Sequence, residues 1–218
     1  TVSDSNAPPR VSLTAPANKA VLISPASVTL TASASGPEAN TPVALVEFLV
    51  DGQVVGTTTT KPYSTTWTAP TLGTHSLTVR ATDSLGAVAT SAVRTVTINA
   101  NQGPGITLTS PTPNQVIPAP GNLTLTATAT DTDGTIAKVE FFNGATLIGT
   151  ATSAPYSLPW NAIPAGSYQI TAQATDNLGG VTTSAPVTIT VDTPPSVSLT
   201  TPTSGTVLAG PTNVTLTA

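Results

Sequence analysis

Apolar and hydroxyl-bearing residues alternate one for one along much of the chain. In Val28–Ser35 the apolar set is Val28, Leu30, Ala32 and Ala34, and the polar set is Thr29, Thr31 and Ser33. A period of two predicts a half-buried strand. The same pattern predicts a strand at His75–Thr82 with Leu77, Val79 and Ala81 inward. It predicts another at Val43–Val50, with Val46 and Phe48 inward and Glu47 outward. Asp51-Gly52 is a tight hairpin signal, so Gln53–Thr59 is the return strand. Pro62-Tyr63 opens a strand on which Tyr63, Thr65 and Trp67 share a face. Val11–Pro16 and Val93–Ile98 complete a set of seven strands in about ninety residues. Asp83-Ser-Leu-Gly86 is a turn: an Asp at its head can bond backbone N–H groups, and a Gly at its tail tolerates left-handed geometry. Seven short strands with regular turn signals predict a β-sandwich. No segment carries helical spacing, and the Thr, Pro and Gly content opposes helix.

The pattern then repeats. Leu45–Trp67 reads LVEFLVDGQVVGTTTTKPYSTTW, and Lys138–Trp160 reads KVEFFNGATLIGTATSAPYSLPW; the closing Trp residues stand 93 positions apart. Repetition over so many positions specifies a tandem array. The second set of strands is Ile106–Pro111, Leu123–Thr130, Ile136–Phe142, Thr146–Thr150, Tyr156–Trp160, Ser167–Thr175 and Val187–Val191, with the turn Asp176-Asn-Leu-Gly179. The expected organisation is a linker at 1–7, a sandwich at 8–99, a linker at 100–103 and a sandwich at 104–192. Residues 193–218 then hold the first two strands of a third copy, Val197–Pro202 and Val214–Ala218. The polar opening TVSDSNAPP and the closing strand pattern suggest an internal piece of a longer chain.

Composition narrows the classes. Only 7% of the 218 residues are charged, and the formal net charge is −4. Hydroxyls supply the polar surface instead. The six basic residues are scattered, whereas a nucleic-acid or anionic-membrane surface needs them clustered. No apolar run approaches the ~18 residues of a spanning helix. There is no Cys, which excludes disulfides and thiolate metal sites and suits a bacterial exported protein better than a eukaryotic secreted one.

The strings P-P-x-V-x-L-T-x-P, V-T-L-T-A, V-E-F, P-Y-S-x-x-W and G-x-Y-x-I-x-A-x-A-T-D-x-x-G resemble the bacterial immunoglobulin-like (Big) domains from Pro8 onward. The resemblance implies seven-stranded immunoglobulin-like sandwiches in tandem, within large secreted or cell-surface proteins, as spacer, stalk or adhesion array. It supplies no catalytic residues. Tyr168 lies where such sandwiches place a tyrosine corner, its hydroxyl bonded back to the backbone. The first copy has His75 at that position, whose imidazole N–H could replace the phenol in part.

The candidate chemistry is thin. His75 is the only His and its repeat equivalent is a Tyr, so it reads as structural; no G-x-S-x-G elbow is present, and the chain is expected to be non-catalytic. Asp131-Thr-Asp133-Gly134 resembles half of a calcium loop, without the later ligands of a complete one; Asp192, at a module junction, is a second weak calcium candidate. No other cofactor is expected. Tyr63, Tyr156, Trp67 and Trp160 could form a sugar platform, but their recurrence on one strand face favours core packing. Lys138 invites a Lys–Asn isopeptide bond, though Leu45 replaces it in the first copy. Asn122-Leu-Thr124 and Asn213-Val-Thr215 match the N-glycosylation acceptor. Glu140 and Phe142 fall on the outward face as a possible contact surface.

The expected role is therefore a non-catalytic stalk, spacer or surface fibre of an exported bacterial protein, outside the cell or on its surface. Its partners would be neighbouring repeats, other copies in a fibre, or carbohydrate. The alternatives are an adhesion module for carbohydrate or a host surface, and a fibre subunit completed through its partial third copy by strand addition.

Overall fold

Strand alternation becomes two β-sandwich units, Thr1–Gln102 and Gly103–Ala218. The computed structural model describes residues 7–38, 40–207, 209–210 and 213–217. Residues 1–6 of the expected linker, Ala39, and Leu208, Pro211, Thr212 and Ala218 of the third copy lie outside the described residues. No helix is found among those described.

In the first unit the strands are β1 (Arg10–Ala15), β2 (Ala20–Ile23), β3 (Ser27–Ser35), β4 (Val43–Val50), β5 (Gln53–Thr58), β6 (Tyr63–Thr68), β7 (Gly73–Asp83), β8 (Val88–Thr90) and β9 (Arg94–Asn99). One sheet runs β1-β3-β6, and the other runs β2-β9-β7-β4-β5 with β8 on β7. The second unit repeats this order. Its strands are β10 (Gly105–Ser110), β11 (Gln115–Pro118), β12 (Gly121–Thr130), β13 (Ile136–Asn143), β14 (Thr146–Ala151), β15 (Tyr156–Ile163), β16 (Gly166–Asp176), β17 (Val181–Thr183) and β18 (Val187–Asp192). The sheets are β10-β12-β15 and β11-β18-β16-β13-β14, with β17 on β16.

Among the described residues each unit thus has nine strands, two more than alternation predicts. The additions are β2 and β8, and their counterparts β11 and β17. All are three or four residues long, too short to show a period. β2 exists because the chain changes sheets after β1. Past Pro16 it turns at Lys19 (φ 65) and pairs in parallel with β9. The second unit makes the same move at Asn114 (φ 59), and β11 pairs in parallel with β18.

The inward residues close each core. Leu13, Leu30, Phe48, Leu77 and Ile98 meet between the first pair of sheets, and Leu125, Phe141, Ile170 and Ile189 between the second. Phe48 and Phe141 are fully buried, worth about 2–3 kcal/mol each relative to exposure. The G of the repeated V/I-G-T string has a steric reason. A Cβ at Gly149 would come within 2.7 Å of Leu158, and one at Gly56 would overlap the Thr65 side chain. Only glycine lets the last strand of one sheet lie this close to the last strand of the other. Outside the cores, hydroxyls pair across strands: Thr14 with Thr31 and Thr109 with Thr126, each at 2.7 Å. Such cross-strand pairs stabilise a charge-poor sheet surface.

The third copy departs from expectation. Among its described residues the two predicted strands form no ladder. One antiparallel bridge joins Thr201 to Thr217, with the Thr201 hydroxyl donating to that of Thr217 at 2.8 Å. The bridge occupies the register of Ala15↔Thr31 and Ser110↔Thr126. Val197, Leu199 and Leu216 are exposed, because no described strand faces them. The local sequence carries the register; a stable strand pair also needs a covering sheet.

Candidate functional site

The third residue of β7, His75, turns inward and is 8% exposed. Its ring meets Trp67 edge-on, with centroids 5.0 Å apart. Tyr168 on β16 meets Trp160 in the same way at 5.3 Å. The Tyr168 hydroxyl donates to the Pro164 carbonyl at 2.9 Å. His75 Nε2 reaches the equivalent Thr71 carbonyl, also at 2.9 Å. The imidazole therefore reproduces the corner bond that a phenol makes in the second unit.

His75 also does what Tyr168 cannot. Its Nδ1 lies 2.7 Å from Asp51 Oδ2 in the β4–β5 turn. Asp51 Oδ1 accepts the Ser76 backbone N–H at 2.7 Å and the Ser76 hydroxyl at 3.0 Å. The hydrogen bond to Asp51 raises the His75 pKa against the opposing effect of burial. The Ser76 N–H and then His75 hold the Asp51 carboxyl below its usual range. The second unit has Gly144 where the first has Asp51. The alignment of the two copies already shows the His–Tyr exchange. It does not show the role of Asp51, whose Asp-Gly string reads as a turn and nothing more.

The acidic calcium candidates do not assemble into one centre. Asp131 and Asp133 sit in the β12–β13 loop, where Asp131 Oδ1 accepts the Asp133 N–H at 3.2 Å. Asn177 lies alongside, its Oδ1 accepting the Thr135 N–H at 2.7 Å. Asp192 ends β18 opposite Pro118, at the other end of the unit from this loop. Among the described residues no three His, Cys, Asp or Glu side chains converge in a way that could hold a metal ion.

Glu140 and Phe142 are less available than alternation suggested. The Glu140 side chain is 16% exposed and pairs with Lys138 Nζ at 2.8 Å. Phe142 is half-buried at a register shift in β13, between Leu147 and Thr171 on the neighbouring strands. The Lys138 Nζ, which would have to give up a proton before it could form an isopeptide bond, is held by Glu140. In the first unit the equivalent Glu47 takes a different cation: Arg80 on β7 donates to it twice, at 2.6 and 2.9 Å. The Asn122 side chain is engaged within the fold, accepting the Ala162 N–H at 3.1 Å. Asn213 is exposed.

The aromatics face the cores. Tyr63 and Trp67 are buried, and Tyr156 and Trp160 are half-buried against theirs. In the first unit a shallow depression of about 620 Å³ opens beside Tyr63, lined also by Thr14, Thr31, Ser33 and Lys61 among others. Two recurrent polar groups escaped the sequence reading. Ser91 Oγ accepts the Val79 N–H and donates to the Ala92 carbonyl, both at 3.0 Å, and Ser184 does the same with Ala172 and Ala185. The repeated T-S-A string was their signal.

Recurrence at structural positions agrees with the comparison of sequences. The profile of the family described as "Bacterial Ig domain" matches residues 9–79 and 104–172. The chain belongs to the bacterial Ig domain family. Its Ig modules are also similar to the fibronectin(III)-like modules of Clostridium thermocellum CbhA, at 29% identity over 84% of this chain and 95% of that one, with a TM-score of 0.45. The PKD1 domain of Vibrio anguillarum Epp is 20% identical over 43% of this chain and 99% of its own, with a TM-score of 0.32. Bacteroides ovatus SGBP-B, solved with a mixed-linkage heptasaccharide, is 16% identical over 83% of this chain and 47% of its own, at 0.30. No curated protein sequence matches the chain. The assignment of these Ig modules rests on the sequence profile.

Proposed function

We propose that the two Ig modules act as a spacer or stalk segment of an exported bacterial protein, without catalysis of their own. What carries the reading is the division between what recurs and what does not. The recurring residues are core, corner and turn residues: Phe48 and Phe141, Trp67 and Trp160, Asp83 and Asp176, Ser91 and Ser184. Among residues with chemistry to offer, Glu47 and Glu140 recur, each ion-paired within its own sheet, whereas His75 aligns with Tyr168, Lys138 with Leu45, and the Asp131 loop with Gly36–Asn40. A repeated module that keeps its scaffold and varies its reactive residues serves best as a unit of length.

Binding and scattering measurements on the full chain test this. The spacer reading expects no saturable binding to a panel of glycans and insoluble polysaccharides, and a particle whose mass does not change with concentration. Saturable glycan binding would replace it with the adhesion reading. Growth with concentration that is lost on removing residues 194–218 would replace it with strand complementation.

A further inference from the structure

We propose that His75 and Asp51 form a proton-dependent clasp, which fastens the β4–β5 turn to the β6–β7 loop at one end of the first module and loosens when the imidazole loses its charge. The argument begins with proton counting. A neutral imidazole has one N–H; only the cation has two. The Thr71 carbonyl can only accept, and so can the Asp51 carboxylate. Both contacts of His75, at 2.9 and 2.7 Å, therefore need a donor, and only the imidazolium satisfies them together. On deprotonation one of the two acceptors is left facing a ring lone pair; Asp51, its side chain 51% exposed, can turn to water, while at Nε2 the Thr71 hydroxyl stands at 3.5 Å, the outer limit of a hydrogen bond.

Among the described residues, Asp51 is the one charged group on the ring. From β6 the ring meets Trp67. From the β6–β7 loop it meets the Thr71 carbonyl, and across the ladder β9 places Val96 opposite. Arg94, the nearest cation along β9, donates to the Thr14 and Pro16 carbonyls. On β7 itself the neighbour Ser76 is bound to Asp51. The raised pKa of His75 agrees with the geometry.

The direction follows. A folded-state His pKa above the unfolded value gives stability that is complete below about pH 6.5. That stability is lost as pH rises through the folded pKa. Asp51, held low, contributes above about pH 4 and loses its contribution as pH falls through its own folded pKa. The clasp is therefore strongest in mildly acid solution. The second module builds the same corner from Tyr168 and Gly144, with no carboxylate at the position of Asp51 and no imidazole at that of His75, so the device belongs to one module of the pair.

The single His makes the test direct. In the full 218-residue chain, ¹⁵N NMR of the imidazole gives its titration without assignment ambiguity. The expected midpoint lies above 6.5, with both nitrogens protonated below it, and Asp51→Gly shifts it downward. Gly is tolerated at this left-handed position, since Gly144 already occupies its equivalent with φ 56 where Asp51 has φ 50. Amide exchange supplies the second readout. The protection factor of the Ser76 N–H should fall at least several-fold across the His midpoint in the parent chain, and stay flat in Asp51→Gly and in His75→Tyr. A midpoint at or below 6.5 in the parent, or Ser76 protection that does not change across the midpoint, would overturn the proposal.

Discussion

Tyr168 and Pro164 are joined by a 2.9 Å hydrogen bond from the phenol to the carbonyl, in the place where the first module joins His75 to Thr71. The bond ties the start of β16 to the loop that precedes it. Tyr168→Phe removes the donor and keeps the ring that meets Trp160 edge-on. The expected cost is about 1 kcal/mol, confined to residues 104–192. Hydrogen exchange resolved by peptide checks both points, and equal destabilisation of the first module would count against a local corner.

Asp176 and Asp83 head equivalent turns, and both are buried. Asp176 Oδ1 accepts the N–H groups of Leu178 at 2.7 Å and Gly180 at 2.9 Å. Asp83 accepts those of Leu85 and Ala87, both at 2.9 Å. Asp176→Ala leaves two turn donors without their acceptor. A loss of about 3 kcal/mol is expected, since bonds to a charged group are each worth roughly 1.5–3 kcal/mol. Asp176→Asn, which keeps an oxygen in place, should lose less. Urea unfolding of the two variants ranks them, and equal midpoints would show that the carboxylate does not organise the turn.

Gly149 lies against Leu158, where an added Cβ would approach to 2.7 Å. Gly149→Ala must displace the end of the Leu158 side chain or push β14 from β15, where the two sheets meet. Overpacking of this kind costs about 1–3 kcal/mol. Thermal unfolding of the full chain should show a lowered transition for the second module and an unchanged one for the first.

Much of this architecture was legible because alternation is itself the signature of a half-buried strand. Phe48, Leu77 and Val79 were placed inward from period two alone, and the second copy gave each position an independent reading. The His75–Tyr168 exchange was legible for the same reason: aligned copies expose a slot whatever fills it. The short strands β2 and β11 were not legible. Four residues cannot show a period, and their parallel partners β9 and β18 lie more than 70 positions away. The same distance problem hid the chemistry. Asp51 is 24 residues from His75 and Arg80 is 33 from Glu47. Only the pairing of β4 with β7 brings each couple together, and nothing local in the sequence announces it. Glu140 looked exposed because alternation reports which face a residue occupies. It places Lys138 on the same face two positions away, but does not say that the ammonium closes onto the carboxylate at 2.8 Å.

Glu47 and Arg80 give the last expectation, and it runs opposite in pH to that of His75. Arg80 donates to both carboxylate oxygens, at 2.6 and 2.9 Å, and this pairing holds Glu47 below its usual 4.5 against partial burial, which alone would raise it. A depressed folded pKa gives stability that is present above the unfolded value and lost as pH falls through the folded one. The first module should therefore weaken below about pH 4.3 in part through this pair. Arg80→Gln removes the charge and leaves the burial, so the Glu47 midpoint should move from below 4.5 to that value or higher, and the acid loss from this pair should flatten. Side-chain carboxyl NMR of the parent and variant reads the midpoint directly. An unchanged Glu47 midpoint would mean that the guanidinium, 42% exposed in its side chain, is too well solvated to act on the carboxylate beneath it.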